Sequence, residues 1–77
     1  MITLPEYRVY NAESLGGAIR HFREGAGLSQ AELAERIGIH RETLVRIERG
    51  QLTEQVRRIV ELLKELDVRL TAAPASW

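Results

Sequence analysis

Between positions 40 and 46 the chain gathers side chains able to hydrogen-bond outward: His40, Arg41, Glu42 and Thr43, with Arg46 one turn on. An arginine presents a planar fork of N–H donors that fits guanine O6 and N7, or the oxygens of a phosphate. Threonine offers a hydroxyl, and a methyl that can meet the methyl of thymine. Glu42 could accept from cytosine N4, but it also precedes Arg46 by four residues, the favourable order for an ion pair along a helix. Gln30 opens an earlier helical stretch, beside backbone N–H groups that lack helical acceptors, a position suited to a phosphate. The plainer alternatives are a solvated charge for Arg41 and a surface amide for Gln30. This is the chemistry of reading and holding a nucleic acid.

Bond-making chemistry finds no comparable set. The chain has no cysteine to act as nucleophile or thiolate ligand. It has no phosphate-binding glycine loop and no cluster of metal-ligating residues. His21 and His40 fall on different elements without companion ligands at suitable spacing. No catalytic residue, metal or cofactor is expected, and the chain is not read as an enzyme.

The elements that must position these residues run from Leu28 to Gly50, LSQAELAERIGIHRETLVRIERG. Ser29 and Glu32 have the spacing of a capping box, so a helix starts there. Ala31, Leu33 and Ile37 give it apolar side chains, and Gly38 stops it where a left-handed backbone is easiest for glycine. Ile39 is an apolar residue suited to a turn packed on a core. His40 stands at the next N-cap position, Leu44 and Ile47 recur at helical spacing, and Gly50 ends the second helix. Helices this short need others to pack against. Their spacing matches a helix-turn-helix, whose second helix enters the major groove with its N-terminal residues at the base edges.

The SQAELA opening, the Gly38-Ile39 turn and the closing RIERG together resemble the Xre/Cro-type helix-turn-helix family of bacterial and phage repressors. With the preceding helix the resemblance covers Leu15 to about Leu66. It implies a mostly α, four-helix, λ-repressor-like domain that binds double-stranded DNA at a palindromic operator as a homodimer. It also implies that Gln30 grips the DNA backbone, and that Arg23 pairs with Glu48 inside the domain.

Around this centre, 77 residues suffice for one small domain with a modest core. Lys plus Arg and Asp plus Glu are both 11. A zero net charge argues against a bulk electrostatic binder, so a DNA reader must concentrate its positive charge on one face. No apolar run approaches membrane length and no charged-then-apolar leader opens the chain, so a cytoplasmic protein without a membrane partner is expected. Residues 1–10 are β-prone at Tyr7–Tyr10. They form an extended arm on the domain, a short strand, or an arm reaching DNA through Arg8. The helix-turn-helix domain spans 11–66. Asn11 is a good N-cap with Glu13 in the first turn, and Leu15, Ala18, Ile19, Phe22 and Ala26 mark one face. Gly16-Gly17 interrupts that face, so either the helix is loose there or something packs closely against its backbone.

Thr53 caps a last helix whose stripe of Val56, Ile59, Val60, Leu63 and Leu66, widened by Leu62, exceeds what one side of a small core requires. The excess suits a subunit interface. Arg57 and Arg58 are solvated ions or phosphate contacts. Residues 67–72 follow, with Val68, Leu70 and Ala72 alternating against Arg69 and Thr71, the period of a strand. A lone strand needs a neighbour, and a second copy of itself across a two-fold axis is preferred to Tyr7–Tyr10. Leu62, Leu66, Val68, Leu70 and Ala72 would then make the dimer. Residues 73–77 read as a flexible tail on which Trp77 either folds back or anchors a partner. A helix followed directly by a strand, ELLKELDVRLTAAP, resembles HipB-type antitoxins, which implies a repressor of its own operon and a HipA-type kinase toxin as partner. A free-standing repressor, and an interaction module that has lost DNA binding, are the alternatives.

Overall fold

The first helix is set by a reciprocal cap. Asn11 Oδ1 accepts from the Ser14 backbone N–H at 2.7 Å, and Ser14 Oγ accepts from the backbone N–H groups of Asn11 and Tyr10 at 2.9 and 2.8 Å. Ser14 is buried, and these bonds, with its own donation to Asn11 O, satisfy it. In the computed structural model, which describes residues 6–77, the elements in order are β1 (Tyr7–Val9), α1 (Ala12–Gly25), α2 (Gln30–Ile37), α3 (Arg41–Glu48), α4 (Glu54–Glu65) and β2 (Leu70–Ala72). The first half of the expected arm, residues 1–5, lies outside the described residues. The second half is the strand β1.

The capping box at α2 forms as its spacing requires. Ser29 Oγ accepts from Glu32 N–H at 3.0 Å and Glu32 Oε1 accepts from Ser29 N–H at 2.9 Å. Gly38 closes the helix in the left-handed region at φ 74°. His40 occupies the N-cap of α3, yet its side chain makes no capping bond. The Gly16-Gly17 pair is not a loose point: α1 is continuous through it, and two neighbours lie against its backbone. A Cβ on Gly16 would run into the carbonyl oxygens of Ile47 and Glu48 at the end of α3, the latter 2.7 Å away. A Cβ on Gly17 would stand 2.6 Å from the Tyr7 hydroxyl. Close approach of α3 and β1 is therefore what these glycines provide.

The strand after α4 finds its partner within the chain. β1 and β2 pair antiparallel, with Tyr7 opposite Ala72, Arg8 opposite Thr71 and Val9 opposite Leu70. One edge of β2 is thus filled by the alternative neighbour, Tyr7–Tyr10, and not by the preferred second copy. The strand also begins later, at Leu70, because Val68 is still in the turn, donating its N–H to Leu63 O at 2.9 Å. Packing explains the choice of partner. Val9 forms a buried cluster with Ala18 and Val60, and Tyr7, Leu15, Leu70 and Ala72 pack on it. Pairing with β1 thus buries the apolar side of β2 as well as filling one of its edges. Leu70 and Ala72 are accordingly partly buried against the domain's own core. Leu44 supplies the largest fully buried side chain beneath the two short helices.

The stripe on α4 is less buried than its apolar character suggests. Only Val60 is buried, whereas Ile59, Leu62 and Leu66 are 50%, 62% and 69% exposed. Val68 is half exposed, and Trp77 is fully exposed and not folded back onto the domain.

Candidate nucleic-acid interface

The helix pair α2–α3 is held from beneath by a buried ion pair. Arg23 on α1 donates from Nε to Glu48 Oε2 at 2.7 Å and from Nη2 to Glu48 Oε1 at 3.0 Å. Its Nη1 donates to the Leu28 carbonyl at 2.8 Å, which ties down the entry to α2. The two side chains are 10% and 3% exposed, so the fork is paired, hydrogen-bonded and largely out of water, the condition under which a buried charge is tolerable. The hydrogen bonds from Arg23 hold the Glu48 carboxyl below the usual carboxylate range against the opposing effect of burial, with a smaller contribution from Gln30. The same pairing raises Arg23 further above its ordinary value. Thus the Arg23–Glu48 pair that the family resemblance implies is present, and it joins α1, the start of α2 and the end of α3.

Gln30 belongs to this assembly more closely than expected. Its Nε2 donates to Glu48 Oε1 at 3.1 Å. The amide is therefore oriented by the buried carboxylate, with one donor committed there. The side chain is part-buried on the rim of an open polar groove shared with Arg20, Arg23, Arg41, Val45, Glu48 and Arg49.

On its outer side α3 exposes Arg41, Glu42, Thr43 and Arg46, with His40 just before them. Among the described residues Glu42 and Arg46 form no ion pair, so the expected i, i+4 partnership is not made and Arg46 faces outward unneutralised. Arg41 and Arg49 are likewise absent from the ion pairs of the described residues. Arg57 and Arg58, by contrast, reach the carboxylates of Glu54 and Glu61 along α4. Arg41, Arg46 and Arg49 thus form one cluster of unpaired cations on and beside α3, while Arg8, Arg36, Lys64 and Arg69, also absent from the ion pairs of the described residues, lie elsewhere along the chain.

A family model described as Helix-turn-helix matches residues 19–72, which include the rest of α1 and everything from α2 to β2. The chain belongs to the helix-turn-helix family. An uncharacterised HTH-type transcriptional regulator of Archaeoglobus fulgidus is 35% identical over 52 residues, covering 68% of this chain and 74% of that protein. A second, of Methanothermobacter thermautotrophicus, is 48% identical over 33 residues, or 43% of this chain and 48% of the relative. No solved structure matches the chain.

In helix-turn-helix terms α2 is the first helix of the motif, Gly38–His40 the turn and α3 the second. Sequence reasoning placed His40, Arg41, Glu42, Thr43 and Arg46 correctly on or at the start of α3. It passed over Arg49, at the C-cap of α3 and beside Gln30 and Arg41 in the groove. The available signal was its spacing of three from Arg46, which keeps both on neighbouring parts of one helical surface.

Proposed function

We propose that this chain is a sequence-specific DNA-binding regulator of transcription in which α3 is the recognition helix. The observation that carries this reading is the distribution of charge. In a chain of zero net charge, Arg41, Arg46 and Arg49 stand exposed on one short helix and its cap while the arginines of α4 are neutralised by neighbours. Both relatives are named as transcriptional regulators, which supports the same reading. Arg41, Glu42 and Thr43, with His40, lie at the N-terminal end that meets base edges in this motif, and Arg46 lies one turn further. Gln30, oriented by Glu48, offers its remaining amide donor to a phosphate, and Arg49 adds a second backbone contact. In gel shifts with DNA from the native upstream region, the Arg41→Ala, Arg46→Ala double variant should lose the cognate complex. Wild-type affinity in that variant would refute the assignment.

The regulator acts as a dimeric repressor that occupies a palindromic operator, because two recognition helices one DNA turn apart, about 34 Å, can read two half-sites. Leu62, Leu66 and Val68 are the exposed residues available for that dimer. The narrower form of the proposal is a HipB-type antitoxin that represses its own operon and binds a HipA-type kinase toxin. The strand that follows α4 and the exposed Trp77, free to anchor a partner, support it. A kinase-like toxin encoded next to this chain and co-purifying with it would bear it out. A gene standing alone, with no such partner retained by the tagged protein, would leave the free-standing repressor.

A further inference from the structure

Ile59, Leu62 and Leu66 follow one another at spacings of three and four, and Gln55 precedes Ile59 by four. This is the a/d spacing of a coiled-coil seam. The helix α4 presents the seam to solvent, since its three apolar members are half or more exposed. The opposite side of the helix, at Val60, is the one that packs into the domain. With β2 paired to β1, the strand is no longer the surface that most needs a second chain. Among the described residues, α4 carries a continuous unpartnered apolar stripe.

The flanks of this seam say what covers it. Arg58 and Glu65 stand seven residues apart, two helical turns, on the same edge, and with Glu61 and Leu62 they line a shallow groove. The other edge carries Val56 and Leu63, which lean toward the domain. We propose that the occupant is a second copy of this chain, with the two α4 helices packed antiparallel about a two-fold axis near residues 60 and 61. This rests on the dimeric reading above and gives it a register. Ile59 then faces the second copy's Leu62, and Leu66 lies over the aliphatic stem of the second copy's Gln55. In that same register, flanking residues of one edge meet their own kind across an antiparallel seam, so Arg58 meets the second copy's Glu65, twice per dimer by symmetry. A parallel arrangement would instead set each Arg58 beside Leu63 and leave Glu65 without a cation. The edge is thus self-complementary in one orientation only. Arg58 now contacts Glu54 at 3.0 Å, but both side chains are more than half exposed, and a pair of that kind holds little free energy against a better-placed one.

The test is a charge reversal read by sedimentation equilibrium without DNA, so that it stands apart from whether α3 reads bases. Wild type should dimerise at micromolar concentrations. Arg58→Glu and Glu65→Arg should each weaken the dimer at least tenfold, since each sets like charges together at two places. The double reversal should recover to within about threefold of wild type. Leu62→Glu should abolish the dimer, and its melting temperature should stay near that of wild-type monomer because the side chain is exposed. A wild-type monomer throughout, single reversals without effect, or a double reversal that fails to recover would each overturn the proposal.

Discussion

Replacing Gly16 by alanine adds one methyl group, and its consequence can be worked from the contacts of that position. In an ordinary helix interior the change stabilises by roughly 1 kcal/mol, because alanine is the better helix former. Here the new Cβ would meet the carbonyls of Ile47 and Glu48, and the Glu48 carbonyl carbon at 2.9 Å. These are backbone atoms, so no side-chain rotation relieves the contact. Ile47 O also accepts from Gly50 N–H at 2.9 Å, so the end of α3 cannot shift without loosening the turn behind it. Gly50 is itself fixed there, at φ 83° and with any Cβ placed 2.8 Å from Glu13 Cα. Overpacking of this kind costs about 1–3 kcal/mol and occasionally more. Contacts under 3.0 Å with backbone atoms place this case in the upper part of that range, about 2–3 kcal/mol, so net of the gain in propensity Gly16→Ala should destabilise by about 1–2 kcal/mol. In a domain of this size that lowers Tm by roughly 4–16 °C. Gly25→Ala supplies the control, since nothing lies within 4 Å of a Cβ there and its φ is not positive. It should leave Tm unchanged or raise it by a few degrees. Urea melts of both variants, followed by circular dichroism, measure the difference directly. If Gly16→Ala melts at or above wild type, α3 is not seated on the α1 backbone as described. If it melts lower, its affinity for an operator should fall as well, because the displaced element is the helix proposed to read the bases.

The remaining expectations concern charge, DNA and the tail. Glu48→Gln keeps the shape but removes the charge under Arg23, and should cost about 1–3 kcal/mol at neutral pH. Because the folded-state pKa of Glu48 is depressed, its contribution is complete above the ordinary glutamate pKa of about 4.3 and is lost as pH falls through the folded-state value. The gap in Tm between wild type and Glu48→Gln should therefore narrow as pH falls below the ordinary glutamate value; a constant gap would contradict the linkage. Arg41→Ala should cost about 1–3 kcal/mol of operator affinity and relax the preference at one base pair if it reads guanine, as a binding-site selection would show. Arg49→Ala should instead weaken all sequences alike and make binding less steeply dependent on salt. Deleting residues 73–77 should leave Tm nearly unchanged, since Trp77 is fully exposed; a drop of many degrees would show that the tail holds the fold.

What could be read from the residues alone was governed by local interactions. The Ser29–Glu32 box, the stop at Gly38 and the period of α3 depend on neighbours a few positions away, so their spacing carries the information. Position along α3 was legible for the same reason, and with it the set from His40 to Arg46. The partner of β2 was not, because a strand's alternation names its two faces but not which edge is filled or by what. Tyr7–Tyr10 and a second copy were both open, and the pairing with Tyr7–Val9 goes with packing of Val9 and Leu70 over Ala18 and Val60. The cap of α1 was half legible: Asn11 was evident, whereas the reciprocal role of Ser14 in place of a glutamate was not. Gly16-Gly17 left two possibilities that only the approach of α3 and Tyr7 could decide. Gln30 shows how a surface expectation can be incomplete, because its contact with Glu48 joins residues 18 positions apart.

That contact also connects the interior of the domain with its outer face. Glu48 lies at the end of α3 and is buried, yet it organises three elements at once through Arg23 and, by Gln30, the start of α2. A neutral residue there would leave the Arg23 guanidinium buried beside a bare carbonyl. An unpaired carboxylate would instead oppose the phosphates that Arg41, Arg46 and Arg49 are proposed to meet. Internal neutralisation by Arg23 removes that opposition and leaves Arg41, Arg46 and Arg49 exposed with Glu42 on the outer face. The pairs along α4 do the same for Glu54 and Glu61 at a distance from α3. Zero net charge over the chain is therefore compatible with a cluster of unpaired arginines on one helix, beside the unpaired Glu42, with further unpaired cations at Arg8, Arg36, Lys64 and Arg69 elsewhere along the chain.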